Sequence, residues 1–216
     1  MCPIPDKMFV TTDAVALRLD PDAGLQLLLV ERGHDPYKGC WALPGGFVDE
    51  DEDLADACAR ELEEETAVHA AALVQLGAWG TPGRDPRGRN VSVVYLAPVR
   101  PDASRERGGD DAARAQWHPV DALPELAFDH AEIVAQGLAR FRALLGDTHI
   151  VFGLMPERFT MEELREALGA VRGELVTESE ALAWAKRAHV VRHRGATPRE
   201  GDSLQCAAPD LMSPLH

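Results

Sequence analysis

Apolar runs separated by turn residues predict a sheet within the first 120 positions of the chain. Residues 9–19 end in alternating apolar side chains, and the turn-forming residues 20–24 lead into a second apolar run at 25–30. These two runs predict a β-hairpin, because two apolar segments joined by a Gly-containing turn are its usual signal. Three more apolar runs predict strands at 73–79, 91–99 and 116–120.

Two longer segments have the composition of helices. Residues 54–66 contain no Gly or Pro and are rich in Ala, Leu and Glu, which favour a helix. Asp129 and Glu132 have the spacing of an N-cap and its reciprocal acid, so a second helix is predicted from there to about Leu145. The Gly and Asp that follow break the pattern, and we therefore expect a first domain over residues 1–146.

The rest of the chain predicts a smaller unit that contains both helix and strand. Within residues 147–194 we expect a helix that Thr160 caps and that runs to Leu168, a helix at 180–188 and a strand at 190–193. Residues 195–216 contain repeated Pro and Gly, and we expect them to form a disordered tail.

Composition and charge narrow the class of protein. Of the 216 residues, 45% are hydrophobic and 27% are charged, as is usual for a soluble globular protein. The 22 Lys and Arg against 36 Asp and Glu give a net charge of −14, which disfavours binding to nucleic acid or to an anionic membrane unless positive charge is concentrated locally. A bound metal ion could still attract an anionic substrate.

Cysteine usage and the lack of long apolar runs indicate where the protein resides. The four cysteines, at positions 2, 40, 58 and 206, form no CxxC pair, which is typical of reduced thiols in the cytosol. The first ten residues lack the apolar stretch of a signal peptide, and no segment approaches the roughly 18 apolar residues of a membrane span. We therefore expect a soluble, cytoplasmic protein with no membrane partner.

The second half of the predicted helix at 54–66 holds the candidate chemistry. Glu61, Glu64 and Glu65 fall within about 100° of one another around the helix axis, so their carboxylates share one stripe. Like charges at these spacings destabilise a helix, whereas a hard divalent cation such as Mg²⁺ takes oxygen ligands and would turn the stripe into a metal site. A solvated acidic helix face is the alternative interpretation of three glutamates taken alone.

The residues that precede this stripe favour the metal site. Gly46 is followed after five residues by Glu52, and after seven more by Arg60. Glycine lets the backbone approach the helix and offer a carbonyl oxygen. This spacing resembles the Nudix box over residues 46–68, GFVDEDEDLADACARELEEETAV. Ala67 stands where the box has its final Gly, the residue that ends the helix, so we expect a strained or shifted cap with no ligand lost.

The resemblance extends over residues 10–145 and implies both a fold and an activity. The implied fold is α/β, an α/β/α sandwich around a mixed sheet, and the implied activity is hydrolysis of a nucleoside diphosphate linked to another moiety. The implied cofactor is Mg²⁺, with Mn²⁺ as an alternative. The implied site residues are Glu61 and Glu65 as principal metal ligands, Glu64 as a further ligand or water activator, the Gly46 carbonyl as an added ligand, and Glu52 and Arg60 as a charge pair that orients helix and loop.

A loop between two predicted strands is the candidate substrate loop. It carries Arg84, Arg87 and Arg89, and guanidinium groups bind phosphate bidentately, although a solvated loop would have the same composition. Residues 81–97 and 126–134 resemble the Nudix branch that contains ADP-ribose pyrophosphatases and NrtR-type regulators of NAD metabolism. The resemblance therefore implies ADP-ribose as the ligand, and we predict that Arg84 and Arg89 face it.

Four other residues have both a structural and a ligand-binding interpretation. For Asp129 and His130 we prefer helix capping and loop packing. Trp79 and Tyr95 could stack on adenine, but we expect them in the core, as is usual for single aromatic residues near strands.

The C-terminal segment separates two classes of function. Residues 152–192 resemble the winged-helix extension of the regulators, whose later helix would enter the major groove of DNA. Here that helix is flanked by Glu178 and Glu180, and residues 147–216 contain 8 Lys and Arg against 11 Asp and Glu, a balance that disfavours DNA binding. We predict a small winged-helix-like α+β segment used for packing or for dimer formation.

The complete set of box glutamates favours an enzyme, because a pure sensor would not need it. We predict hydrolysis of ADP-ribose to AMP and ribose 5-phosphate, by a homodimer of the kind common among relatives. The alternative is an NrtR-like transcriptional regulator that senses ADP-ribose and binds DNA through its C-terminal segment.

Overall fold

Among the residues that the structure describes up to position 119, seven strands form one sheet. The structure is a computed structural model that describes residues 8–101, 115–188, 190–192, 204–206 and 211–212. All of the predicted strands of the sheet are present, each within one residue of its predicted bounds. The strands are β1 (Phe9–Asp20), β2 (Gly24–Glu31), β3 (Trp41–Ala42), β4 (Gly45–Phe47), β5 (Val74–Trp79), β6 (Asn90–Pro98) and β7 (Ala115–Pro119).

Strand β1 lies in the middle of the sheet, in the order β3-β2-β1-β6-β5. It pairs antiparallel with β2, as the predicted hairpin requires, and parallel with β6, while β4 and β7 pair with β1 and β2. Residues 11–17 are all buried, because both faces of this strand are covered. The predicted mixed sheet is confirmed.

One long helix covers each face of the sheet. Helix α1 (Leu54–Thr66), with the predicted bounds, packs Leu62 into the apolar cluster on one face, and α2 (His130–Leu144) packs Phe141 into the cluster on the other. Both side chains are almost fully buried, at 1% and 0% exposure, and each contributes about 2 kcal/mol by leaving water. These layers confirm the predicted α/β/α sandwich.

The capping box predicted at the start of α2 is not formed. Asp129 makes no side-chain hydrogen bond to the helix end, and Glu132 instead accepts a hydrogen bond from Gln136. The Asp129 carboxylate binds the guanidinium of Arg84 at two points. A charge-assisted bidentate pair is stronger than a hydrogen bond from a neutral amide, which explains why the cap is lost.

Ala67 closes α1 in a left-handed conformation, with φ 55° and ψ 27°. Its N–H donates to the carbonyl oxygen of Glu63 at 2.8 Å, so the cap is made where the predicted helix ends. An L-residue in this conformation is strained by about 1–2 kcal/mol, because its Cβ crowds the following carbonyl. The cap is therefore strained rather than shifted.

The chain beyond α2 forms a second, smaller group of elements. A 3₁₀ helix (Ile150–Leu154) is followed by helices α3 (Met161–Arg172) and α4 (Glu178–Arg187) and by strands β8 (Val190–Arg192) and β9 (Leu204–Cys206), which pair antiparallel. No helix within the described ranges is long and apolar enough to cross a membrane.

Capping decides where α3 and α4 begin and end. Thr160 and Thr177 each form a capping box with the glutamate three residues later. Helix α3 continues four residues past its predicted end, to Arg172, and Gly173 caps it in a left-handed conformation with φ 75°. Helix α4 begins two residues before its predicted start because Thr177 caps it.

The expectation of a disordered tail does not hold where the structure describes that segment. Residues 204–206 form β9, and Leu204 and Leu211 are 1% and 7% exposed. These two leucines pack into the main core, a long-range contact that local composition does not reveal. The rest of the predicted tail lies outside the described residues.

Helix α2 joins the two halves of the chain. At its C-terminal end Arg142 donates to the carbonyl of Val171 in α3 at 3.0 Å, and the indole of Trp184 in α4 donates to the carbonyl of Leu145 at 2.8 Å. One apolar cluster runs from the sheet into these helices. The domain boundary after residue 146 stays a prediction.

We predict that Ala67→Gly stabilises the protein by roughly 0.5–1 kcal/mol. Glycine adopts the left-handed conformation without the strain on alanine, and its greater freedom in the unfolded chain offsets part of the gain. Urea unfolding followed by circular dichroism measures the change. The matched control is Ala59→Gly, at an exposed position of the same helix, which should destabilise by about 1 kcal/mol. Equal losses in both variants would contradict a strained cap.

Candidate active site

A polar cavity of about 500 Å³ opens where β1, β4 and α1 meet. Its wall combines acidic and basic side chains with a few apolar ones. The ionisable residues that line it are Asp13, Glu31, Arg32, His34, Asp49, Arg60, Glu61, Glu65, Arg84, Asp85, Arg87 and His130.

Two glycines bring the backbone of β4 against α1. Gly46 lies opposite Thr12 in the β1–β4 pairing, and a Cβ on Gly46 would overlap the carboxylate of Glu61. Gly45 has a φ of 157°, and a Cβ there would overlap the carbonyl oxygen of Thr12. Only glycine fits at either position, so the backbone at residue 46 lies directly against the Glu61 carboxylate.

Glu61 and Glu65 project from successive turns of α1 and both line the cavity. Glu65 accepts a hydrogen bond from the amide of Gly45 at 3.0 Å, which fixes the carboxylate against β4. Burial, together with the negative charges of Glu61 and Asp13, raises the pKa of Glu65 to about 7. The cavity thus gathers carboxylates, and the positive charge of Arg32 offsets only part of the rise in the pKa of Glu65.

Arg60 ties the loop after β4 to helix α1. Its guanidinium donates to both oxygens of Glu52 at 2.8 Å, to the carbonyl of Phe47 at 3.1 Å and to Glu61 at 2.9 Å. The hydrogen bond from Arg60 lowers the pKa of Glu52. The charge pair predicted for Glu52 and Arg60 is therefore present.

Glu64 lies apart from the other two glutamates of the predicted stripe. Its side chain is 61% exposed, it contacts Arg60 at 3.3 Å, and it does not line the cavity. Within the described ranges no three His, Cys, Asp or Glu side chains converge closely enough to enclose a metal ion. The structure brings Glu61 and Glu65 together in the cavity lining and leaves Glu64 exposed outside it.

The donors at this site nevertheless fit a divalent cation. Glu61 and Glu65 offer carboxylate oxygens, the ligands that Mg²⁺ and Mn²⁺ prefer, and the backbone of Gly46 reaches the same place. A cation here would also favour the ionised form of Glu65, whose pKa is raised chiefly by burial. Mg²⁺ keeps part of its water shell, so a small protein ligand set suffices.

The arginine loop contributes one of the two predicted substrate residues to the cavity wall. Arg84 lines the cavity, but its guanidinium is bound to Asp129 at 2.6 and 2.8 Å and its side chain is only 5% exposed. Arg89 does not line the cavity and donates to the carbonyl of Gly80. Arg84 and Arg89 are therefore not brought together.

His130 closes the cavity wall at the start of α2. Its Nδ1 accepts a hydrogen bond from the amide of Leu43 at 2.9 Å, and burial lowers its pKa, which favours the neutral ring. This contact agrees with the predicted loop packing. The core position expected for Tyr95 is confirmed, whereas Trp79 is half-buried against the edge of an apolar cluster, and neither lines the cavity.

Sequence reasoning missed several cavity residues. Asp13 had a usable signal, because an acid in the middle of a buried strand needs partners, and here it accepts from Ser92. Arg32 and Phe128 had no local signal. Phe128 has a φ of 54°, unusual for an aromatic residue, and its ring lies beneath the guanidinium of Arg32.

The three-layer fold and the glutamate-lined cavity define a class of protein, and comparison with known families agrees. The family model described as NUDIX domain matches residues 10–137. The chain belongs to the NUDIX family.

Two relatives and one solved structure show how this chain resembles characterised members. The ADP-ribose pyrophosphatase of Methanocaldococcus jannaschii is 41% identical over 109 residues, which are 50% of this chain and 63% of that protein. The ADPR responsive transcriptional repressor NtrR of Acinetobacter baylyi is 34% identical over 168 residues, 76% of this chain and 66% of the repressor. The chain thus spans just under two thirds of the length of either relative.

The solved structure is that of Shewanella oneidensis NrtR. It superposes with a TM-score of 0.83 at 30% identity and covers 96% of this chain and 98% of its own. The similarity therefore reaches past the NUDIX domain into the C-terminal elements. The homodimer implied by the family resemblance stays a prediction.

We predict that Glu65→Gln stabilises the cation-free protein at alkaline pH. The pKa of Glu65 is about 7 in the folded protein and near 4.5 when unfolded, so the free energy of unfolding falls as pH rises between these values. Glutamine, which cannot ionise, should be more stable than the parent by roughly 3 kcal/mol at pH 8 and similar to it at pH 4.

Urea unfolding in EDTA at both pH values measures this difference. Glu63→Gln, a change at a 59% exposed position of the same helix, serves as the control and should leave the pH dependence unaltered. The measured quantity is the free energy of unfolding of Glu65→Gln minus that of the parent. If this difference is no larger at pH 8 than at pH 4, the raised pKa of Glu65 is contradicted.

Proposed function

We propose that this protein is a metal-dependent hydrolase that cleaves the pyrophosphate of ADP-ribose to AMP and ribose 5-phosphate. The observation that carries the proposal is the convergence of Glu61, Glu65 and the Gly46 backbone on one polar cavity. The similarity to an ADP-ribose pyrophosphatase supports the choice of substrate.

In this proposal Glu61, Glu65 and the Gly46 carbonyl hold a divalent cation, with Glu64 as a further ligand. When bound, the cation neutralises pyrophosphate charge and acidifies water for attack at phosphorus. The chain itself supplies rigidity: Arg60 holds Glu61 in place, and the amide of Gly45 orients Glu65.

The wall opposite the glutamates carries the proposed substrate contacts. Arg84 forms part of this wall and is fixed there by Asp129, so it contributes positive charge without being free to move. Arg89 is left out of the proposal, because its guanidinium is turned towards Gly80 outside the cavity.

We predict that the parent hydrolyses ADP-ribose in the presence of Mg²⁺ and that Glu65→Gln lowers the rate at least about 100-fold. Removing a carboxylate that holds the cation weakens cation binding, and without the cation the negative charge of the pyrophosphate is not neutralised. The measurement follows AMP and ribose 5-phosphate by chromatography. Glu63→Gln, on the exposed side of α1, should retain the parent rate. Saturable ADP-ribose binding without turnover in the parent would contradict the enzyme and favour a sensor.

A transcriptional repressor is the second candidate function. The observation that favours it is the match to NrtR over 96% of the chain, which includes the helix pair α3 and α4. The charges oppose it: the first turn of α4 exposes Glu178 and Glu180, and its exposed cations, Lys186 and Arg187, lie at the other end. A helix that reads bases presents its N-terminal residues to the groove.

We predict that the protein does not bind its own promoter DNA in a saturable, salt-sensitive way. Phosphate contacts lose affinity steeply with salt, so fluorescence anisotropy at 50 and 200 mM salt separates them from weak association. A shuffled duplex of the same length is the control. Submicromolar binding that prefers the promoter and weakens with salt would overturn this prediction and establish the repressor.

A further inference from the structure

Three of the four arginines that line the cavity are already paired. Arg60, Arg84 and Arg87 each place a guanidinium nitrogen within 2.8 Å of a carboxylate oxygen. Arg32 differs: among the residues that the structure describes, it has no ion pair within 4.0 Å. The cavity therefore contains one cation whose charge has no carboxylate partner.

The position of Arg32 is nevertheless fixed at several points. Its backbone amide donates to the carbonyl of Cys40 at 2.9 Å, and its Nε donates to the carbonyl of Pro36 at 2.8 Å. The guanidinium lies over the ring of Phe128, 4.7 Å from the ring centroid. Its two terminal nitrogens make no hydrogen bond with the residues that the structure describes. Both nitrogens of the planar guanidinium can therefore donate to a ligand.

The electrostatic surroundings of Arg32 favour an anionic partner. Burial lowers its pKa, and the neighbouring cation of Arg87 lowers it further, although Asp85 and Glu65 act in the opposite direction. Glu61 and Glu65 make the other wall of the cavity negative. The cavity therefore offers a cation the acidic wall formed by Glu61 and Glu65, and it offers a phosphate group the positive charge of Arg32.

We propose that Arg32 binds a phosphate group of the substrate through both terminal nitrogens, so that an organic diphosphate spans the cavity from the acidic wall to Arg32. A guanidinium matches two phosphate oxygens at once, and Phe128 fixes its plane. This assignment rests on the proposed function, since it identifies how the same cavity would hold its nucleotide.

Calorimetric titration of ADP-ribose in EDTA tests the role of Arg32 without turnover. Arg32→Gln should weaken binding roughly 10- to 100-fold, because a charge-assisted bidentate contact is lost, and Arg32→Lys should recover part of the affinity because it keeps the charge. The matched control is Arg18→Gln. Arg18 also stacks on an aromatic ring, Trp117 at 4.4 Å, and bonds through Nε, but it lies outside the cavity.

The outcomes separate this inference from the proposed function. If the parent neither binds ADP-ribose in EDTA nor hydrolyses it with Mg²⁺, both are contradicted. If it hydrolyses ADP-ribose but binds it only when the cation is present, the KM values of the parent and the two Arg32 variants with Mg²⁺ give the same comparison. If the parent binds and Arg32→Gln binds equally well, only the role of Arg32 is wrong. If both Arg32 variants lose affinity equally and also melt several degrees lower, Arg32 supports the loop rather than the ligand, and the inference is overturned.

Discussion

The close packing of the Gly45–Gly46 backbone between strand β1 and helix α1 is the constraint on which the site depends. A side chain at either position would overlap a β1 carbonyl or the Glu61 carboxylate. Because β4 is hydrogen-bonded to the central strand of the sheet, the loop cannot retreat to make room. The helix that carries the glutamates is thereby held at a fixed distance from the sheet, and Arg60 locks the loop that follows. The same close packing therefore fixes both the geometry of the site and the position of α1 against the sheet.

Helix α2 fixes another part of the cavity lining. Its first residues reach the cavity, where His130 holds the backbone of Leu43 and Asp129 holds Arg84. Its last turn holds α3 and α4 through hydrogen bonds to or from the backbone. A single rigid element therefore contacts both the cavity and the C-terminal helices. The start of α2 and its C-terminal end are therefore held by different contacts, the first by residues of the cavity and the second by the backbone of α3 and the indole of α4.

Local signals in the sequence were sufficient for the long strands and helices, whereas the short strands β3, β4 and β9 and the 3₁₀ helix were not predicted. The bounds of α1 followed from helix propensity, and Glu61 and Glu65 were singled out by their spacing together with the resemblance to the Nudix box. The contacts of the cavity arginines could not be predicted from local signals. Arg84 lines the cavity, yet its partner Asp129 lies 45 positions away in the sequence. Their ion pair takes the place of the N-cap that the local sequence predicts for Asp129. Arg32 gains its role from Phe128, whose left-handed backbone no local rule predicts. Such contacts depend on tertiary packing, as does the burial of Leu204 in the predicted tail.

The distribution of charge, more than its sum, decides what this architecture can do. A net charge of −14 would repel a nucleotide, but the cavity also holds Arg32, whose guanidinium makes no ion pair with the residues that the structure describes, and the sum conceals this charge. In α4 the reverse holds. Glu178 and Glu180 occupy the first turn, where the helix dipole and the capping box stabilise them. The same charges would face the phosphates of DNA if this turn entered the groove. The features that make α4 a stable helix thus oppose DNA binding, while Trp184 on its inner face is fully buried and completes the core. The C-terminal segment has a structural use in this chain that requires no DNA.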